Sequence, residues 1–402
     1  MDAQAATAAW LARLPAAERL AAQAATDARL AGWIAGVLLF LAAAALLTRS
    51  GLLTALLRRI EADRPRPWLA SALAAGVTAL VLVAVKAAVE GAVAWRVDTI
   101  LTGARSAGAA THLAAAASQI LPSAAAAVLL FPPFAWLMRR APRRWPLVAG
   151  ATALALVLAL GWLPYVLSAE ATAGPASPGP AQAAVAQLVG ETRLPATAVL
   201  QSTDPALDAD VTGGFGHARV VVGPRLLAGP PAEARADVGH LMGHYVHNDV
   251  LIVCLVVGMV VAAGFWAARW WTAPLARAMG ARGARDAADP VALPALAIIA
   301  AAAVTLAALA GAAYLRWANV GADAYSLHHA REPDGLVAVI EDEWAREPDH
   351  DAVAPSPPET ALFYSHPPLT SRIAHAMAWK AAQKAPEKTP QKTPQKTSLG
   401  GG

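Results

Sequence analysis

Apolar residues in this chain fall into long uninterrupted runs, separated by short stretches rich in arginine and by one long interval where the pattern breaks up. The runs lie at about 30–48, 68–95, 113–138, 146–168, 250–268 and 291–315. Each is long enough for a helix to cross the ~30 Å hydrocarbon core of a bilayer, so the pattern predicts about six spans. Pro132-Pro133 is expected to break the third near its end. Ahead of the first run, residues 1–29 read as an amphipathic helix, with Trp10, Leu11 and Leu14 on one side and Arg13, Glu18, Arg19 and Arg29 on the other. It lacks a compact apolar core with a cleavage site, so it is not read as a signal peptide.

Between the fourth and fifth runs the pattern changes period. Glu170–Pro180 is rich in Gly and Pro and reads as a loop, 181–190 as a short helix, and 197–201 and 218–222, rich in β-branched residues, as strands. The Gly-rich stretch Asp210–Gly216 lacks the Lys-Ser/Thr ending of a phosphate loop and precedes a strand, so a turn or an edge-strand bulge is the better reading. Glu233–Asp249 has helical character. After the sixth run the chain is polar again, and 383–402 repeats Lys-Thr-Pro-Gln, a low-complexity tail expected to be disordered. The domain organisation is therefore 1–29, a membrane domain over 30–168, a domain over 169–382 interrupted by the last two spans, and the tail.

Composition agrees with the membrane reading. Hydrophobic residues make up 57% of the 402 and charged residues only 15%, against about 25% charged in soluble domains. The net charge of +4 comes largely from arginines beside the apolar runs, which points to membrane topology rather than nucleic acid. Loops 49–67, 139–145 and 269–291 hold five, four and four arginines, whereas loop 96–112 holds only Arg96 and Arg105. Positive-inside weighting places the three Arg-rich loops in the cytoplasm and everything between spans four and five, with both termini, in the periplasm. High Ala and Arg with little Lys before the tail suggests a GC-rich bacterial genome, and with the spans the expected location is a bacterial inner membrane. The single cysteine, Cys254, excludes an internal disulfide. Lys86 and Glu90 are expected to form an i,i+4 pair turned toward other helices rather than part of a substrate path.

The candidate chemistry lies in Val238-Gly-His-Leu-Met-Gly-His-Tyr-Val246. His240 and His244 share one face of a helix, about 6 Å apart along its axis, and two imidazoles so placed can hold a zinc ion, as in H-E-x-x-H. In that pattern the residue after the first histidine is the Glu that deprotonates metal-bound water; here it is Leu241. Asp237, on the same face, lies too far along the helix to share a metal with His244 but is placed to orient His240. His247 and Asp249 lie past the metal position and are expected to be solvated.

Taken with Ala322-Asp-Ala-Tyr-Ser-Leu327 and Phe363-Tyr-Ser-His-Pro-Pro368, and with Arg372 six residues beyond His366, these motifs and the order of spans resemble the type I CAAX prenyl endopeptidases, integral-membrane zinc metallopeptidases, over about residues 28–382. The resemblance implies a mainly α multi-pass membrane helical bundle carrying a small α+β zincin-like metallopeptidase domain, with zinc as cofactor. It implies His240 and His244 as metal ligands, Asp323 as the aspartate behind them, and His366 and Arg372 as contacts to substrate or the oxyanion. The third zinc ligand would be a Glu four residues before Asp323, where this chain has Asn319. Asp210 stands where many relatives carry Asn in the strand facing substrate. The family's cytoplasmic-side site also conflicts with the arginine count.

These departures have consequences. A catalytic zinc acidifies its water to a pKa near 7 when three protein ligands hold it, and two imidazoles with a neutral amide hold it less well than a set containing a carboxylate. A general base contributes about 10²–10⁴-fold, which leucine cannot supply. The expected function is a membrane pseudoprotease that binds a peptide or membrane-protein client, with weak or absent zinc. The alternative is an active metalloendopeptidase with a rearranged site. A channel or transporter would need more intramembrane charge than Lys86 and Glu90. The bilayer and such a client are the expected partners; nucleic acid is not.

Overall fold

In hydrocarbon a backbone must satisfy its own hydrogen bonds, and long apolar runs do so as helices. The computed structural model describes residues 3–103, 107–167, 173–194, 196–214, 217–346 and 352–384. In it six helices are long and apolar enough to cross a membrane, and the chain is a multi-pass membrane protein. Helix α1 (Ala3–Leu11) precedes α2 (Ala16–Arg49), the first span; α3 (Leu52–Ile60) is a short connector and α4 (Pro67–Thr102) the second span. The third is α5 (Ala109–Ala117) with α6 (Ile120–Arg140). The fourth is α7 (Trp145–Val157), a π-helical turn (Leu158–Trp162) and α8 (Leu163–Leu167).

Two expectations for this half change. Residues 1–29 are not one helix. The chain breaks before Pro15, and α2 runs unbroken from residue 16 into the first span. Trp10 on α1 is 3% exposed and packs into a core with Leu336, Ile340, Trp344 and Ile373. Pro132 and Pro133 lie inside α6, which continues to Arg140. Proline removes a donor but does not end a helix whose neighbours hold it, and Pro132 is buried. Lys86 and Glu90 do pair, 2.5 Å apart, but their side chains are 60% and 56% exposed. They line a cavity of about 1130 Å³ together with Phe40 of α2 and Ile298 of α13, so the pair is turned toward other helices without being packed against them.

The second half opens with β1 (Ala173–Pro175), α9 (Pro180–Glu191), β2 (Ala196–Ser202), β3 (Ala209–Gly214), β4 (His217–Val222), α10 (Pro224–Ala228) and α11 (Pro231–His247). The sheet order is β1-β2-β4-β3, with β2 and β4 parallel and the outer pairs antiparallel. Strand β1 lies where a loop was expected, and residues 210–214 of the Gly-rich stretch belong to the edge strand β3, in register Val211↔Val220 with β4, while 215 and 216 lie outside the described residues. Valines of β3 and β4 pack against Val185 and Leu188 of α9 and Val238 and Met242 of α11. The chain then crosses through α12 (Asp249–Ala278) and returns, after a 3-10 turn (Pro290–Ala292), along α13 (Leu293–His329); α14 (Pro333–Arg346), α15 (Pro357–Phe363) and α16 (Leu369–Lys384) complete the domain. The tail from residue 385 on lies outside the described residues.

Two glycines bring α11, before the last two spans, against the end of α13, after them. A Cβ at Gly243 would lie 2.8 Å from the Cα of Ala322, and one at Gly239 would lie 3.0 Å from the Ser326 hydroxyl. Without side chains at these two positions, α11 lies against α13 at nearly backbone distance. At the far end of the bundle the Arg-rich loops come together: Arg49 lies beside Gly280, and Arg139 donates to the Ala288 carbonyl and the Ser71 hydroxyl. The sheet, α11 and both described ends of the chain are therefore on the face opposite the arginines.

Candidate metal centre

Helix α11 begins with Pro231 at its first turn and Glu233 near its positive end, and it stops at Asn248, which adopts the left-handed conformation (φ 56°). Its one face carries His240 and His244, whose Nε2 atoms approach to 3.2 Å. His240 Nδ1 lies 2.8 Å from Asp323 Oδ1, and His244 Nδ1 lies 2.8 Å from Asp249 Oδ2. A carboxylate only accepts, so both Nδ1 atoms carry hydrogen and both Nε2 atoms present lone pairs to each other. Two facing lone pairs call for a cation between them, a proton or a metal ion. Two nitrogens on a tetrahedral zinc, each at 2.0–2.1 Å, stand about 3.3–3.4 Å apart, close to the observed spacing.

Each carboxylate is itself held. Asp323 receives both Arg372 Nε and Nη2 at 2.8 Å, a buried two-pronged pair, and Arg372 Nη1 also lies 3.7 Å from Glu343. Asp249 receives the Tyr314 hydroxyl at 2.5 Å. Asn319 lies one turn before Asp323 on α13, is 2% exposed, and donates its amide to the Leu315 carbonyl at 2.8 Å. Its Oδ1 is buried without a hydrogen-bond partner; burial, then His240, lowers the pKa of His244, against the raising effects of Asp249 and, least, of the Asn319 side chain. An orphaned buried oxygen on a side chain that reaches His244, with the two oriented Nε2 atoms, fits a metal ion with a neutral third donor. Among the described residues no group of three or more His, Cys, Asp and Glu side chains is spaced to hold one.

Leu241 is partly buried and packs against the sheet-side core. His366 is exposed, with Nδ1 3.1 Å from the Ser365 hydroxyl. Desolvation on its protein-facing side, followed by the charges of Arg372, His240 and His244, lowers its pKa to about 4, although the residue as a whole is exposed. Asp210 sits in β3, next along the strand to Val211, whose carbonyl accepts the Tyr165 hydroxyl of α8 at 2.8 Å. A Cβ at Gly214 would lie 2.8 Å from a Val166 methyl, so α8 covers part of the sheet's free edge.

Two sequence expectations are corrected here. Asp249 is not solvated: its side chain is 2% exposed and bonded to His244. In a continuous helix a residue five positions on lies well around the axis from the first. The left-handed Asn248 ends α11 and turns Asp249 back toward His244, which periodicity does not reveal. Asp237 does not orient His240, because Asp323 occupies Nδ1. Its charged neighbours are Glu343, His240, Asp208 and Arg372, and burial followed by Glu343 pushes its pKa up to about 7. His247 is exposed, as expected. Tyr314 and Tyr165 were missed; both lie in apolar spans with no local signal.

No curated protein matches the chain. Residues 179–380, from the start of α9 almost to the end of α16 and including both imidazoles, their carboxylates, Asn319, His366 and Arg372, match the profile of peptidase family M48. With that match covering half of its length, the chain belongs to peptidase family M48.

Proposed function

We propose that this protein is a membrane-embedded M48 homologue, close in kind to the CAAX prenyl endopeptidases, that keeps a metal- and peptide-binding site but has lost efficient hydrolysis. The carrying observation is the pair Leu241 and Asn319. The base position holds an apolar side chain packed into the core, and the third-ligand position holds a neutral amide. His240, His244 and the Asn319 oxygen would hold zinc, which when bound polarises a carbonyl and acidifies water. Asp323 and Asp249 keep both imidazoles in the Nδ1–H tautomer. His366, with the Arg372 charge near it, is the group we assign to meet a peptide carbonyl. No described group stands in for the missing base. Asp237 is grouped with the residues on the Nδ1 side of His240, and His244 is not among its charged neighbours. The client is a peptide or membrane protein in a bacterial inner membrane, met on the face opposite the arginine loops.

Metal analysis of the purified full chain, with an endopeptidase assay on unfolded casein using the same sample, tests this. Less than one zinc per chain, lost to a mild chelator, and no chelator-sensitive cleavage are expected. Chelator-sensitive cleavage that survives Leu241→Ala would overturn the reading and favour an active peptidase with a rearranged site.

A further inference from the structure

The two imidazoles are held in the same way by different parts of the chain. His240 is held by Asp323, which is clamped by Arg372 of α16. His244 is held by Asp249, the first residue of span α12, which is clamped by Tyr314 of span α13. We infer that Asp249 and Tyr314 form a positioning pair that sets the tautomer and direction of His244, so that the two membrane spans complete the metal centre.

Three observations carry this. Asp249 is 2% exposed on its side chain, so its two oxygens are committed rather than solvated: one takes His244 Nδ1 and the other the Tyr314 hydroxyl. It sits at the N-terminal turn of α12, where the helix favours a negative charge. Without it, His244 has no described Nδ1 acceptor, and the neutral ring is free to place its proton on Nε2, the nitrogen that faces His240. A protonated Nε2 cannot ligate a metal. Tyr314 acts one step further out, fixing the carboxylate so that its other oxygen points at the ring. Carboxylates behind metal-bound histidines alter metal affinity by about 10–100-fold when removed.

The inference rests on the metal reading proposed above, and its test separates the two. Full-length protein in detergent would be stripped of metal and titrated with zinc against a chromophoric chelator, as wild type, Asp249→Ala and Tyr314→Phe. The histidine tautomers of the zinc-free proteins would be read from nitrogen-15 chemical shifts. Expected are a zinc affinity reduced about 10–100-fold in Asp249→Ala, a smaller loss in Tyr314→Phe, and transfer of the His244 proton from Nδ1 to Nε2 in Asp249→Ala. Tyr314→Phe keeps the ring and removes only the hydroxyl, so it reports even where Asp249→Ala fails to fold. Unchanged zinc affinity in both variants, or an unchanged His244 tautomer, would overturn the pair. If wild type takes up no zinc but the tautomer still moves, the positioning role stands and the metal reading falls.

Discussion

If Leu241 and Asn319 are the two positions that disable hydrolysis, Leu241→Glu together with Asn319→Glu should restore it, and neither alone should. The structure sets the terms. The imidazole pair is already spaced and oriented, with Nε2 atoms 3.2 Å apart and each Nδ1 on a carboxylate at 2.8 Å. What is missing is an anionic third donor at the unpartnered Asn319 oxygen and a proton acceptor at position 241. The acceptor supplies about 10²–10⁴-fold, or about 3–5 kcal/mol of barrier. Lifting the half-buried Leu241 off the core costs about 1–2 kcal/mol of stability. That loss is tolerable in a marginally stable fold if the gained zinc stabilises it in turn. Base and metal act as one unit, so the gains should be strongly non-additive. A glutamate without a well-held zinc has no acidic water to deprotonate, and a well-held zinc without the glutamate lacks the proton-transfer step. Zinc content and cleavage of a quenched fluorescent peptide would be followed for all four proteins. The expectation is one zinc per chain and at least ~10²-fold more chelator-sensitive cleavage in the double variant, with both single variants near background. Full activity in Leu241→Glu alone would refute the argument, because a neutral amide would then suffice as third ligand. A folded double variant that holds zinc and stays inert would show that the defect is elsewhere.

Other expectations follow from the groups around the site. Asp237 has its pKa pushed up to about 7 by burial, so the folded chain holds a proton that the unfolded chain releases above pH ~4. Stability is then fully present below that pH and falls as pH rises through about 7, by up to about 4 kcal/mol. Asp237→Asn should flatten the change in Tm between pH 5 and pH 8, and an unchanged profile would clear Asp237 of that role. Arg372→Met removes the buried partner of Asp323 and should destabilise the domain by about 3–5 kcal/mol, because the carboxylate is left uncompensated. Denaturant melts of the variant and of Arg372→Met with Asp323→Asn would check this, with the double change recovering part of the loss. The arginine loops gather at one end of the bundle and the sheet at the other. A reporter fused after Lys380 should therefore be active only in the periplasmic configuration, and cytoplasmic activity would reverse the orientation.

Much of this protein could be read from residue order alone. Six long apolar runs can only be spans, because unpaired backbone is too costly in hydrocarbon for any other form. The histidine spacing, the Ala-Asp helix and the Phe-Tyr-Ser-His segment carry the family because each motif is local. The two departures, Leu241 and Asn319, are equally local and are visible at once. What the tertiary structure decided is everything that depends on residues far apart in sequence or on a change of chain direction. The proline pair gave a false break, since packing held α6 together where local rules would end it. Trp10 joined the core of α14 and α16 although more than 300 residues separate them. Asp249 moved from solvent to the imidazole of His244 because one left-handed residue, Asn248, reversed its heading. Tyr314 reached it from a span whose sequence shows only an apolar run. Periodicity reports which face of one element is buried, whereas the partners of a buried polar group are set by how separate elements cross, and that crossing is fixed here by the bare backbone at Gly239 and Gly243.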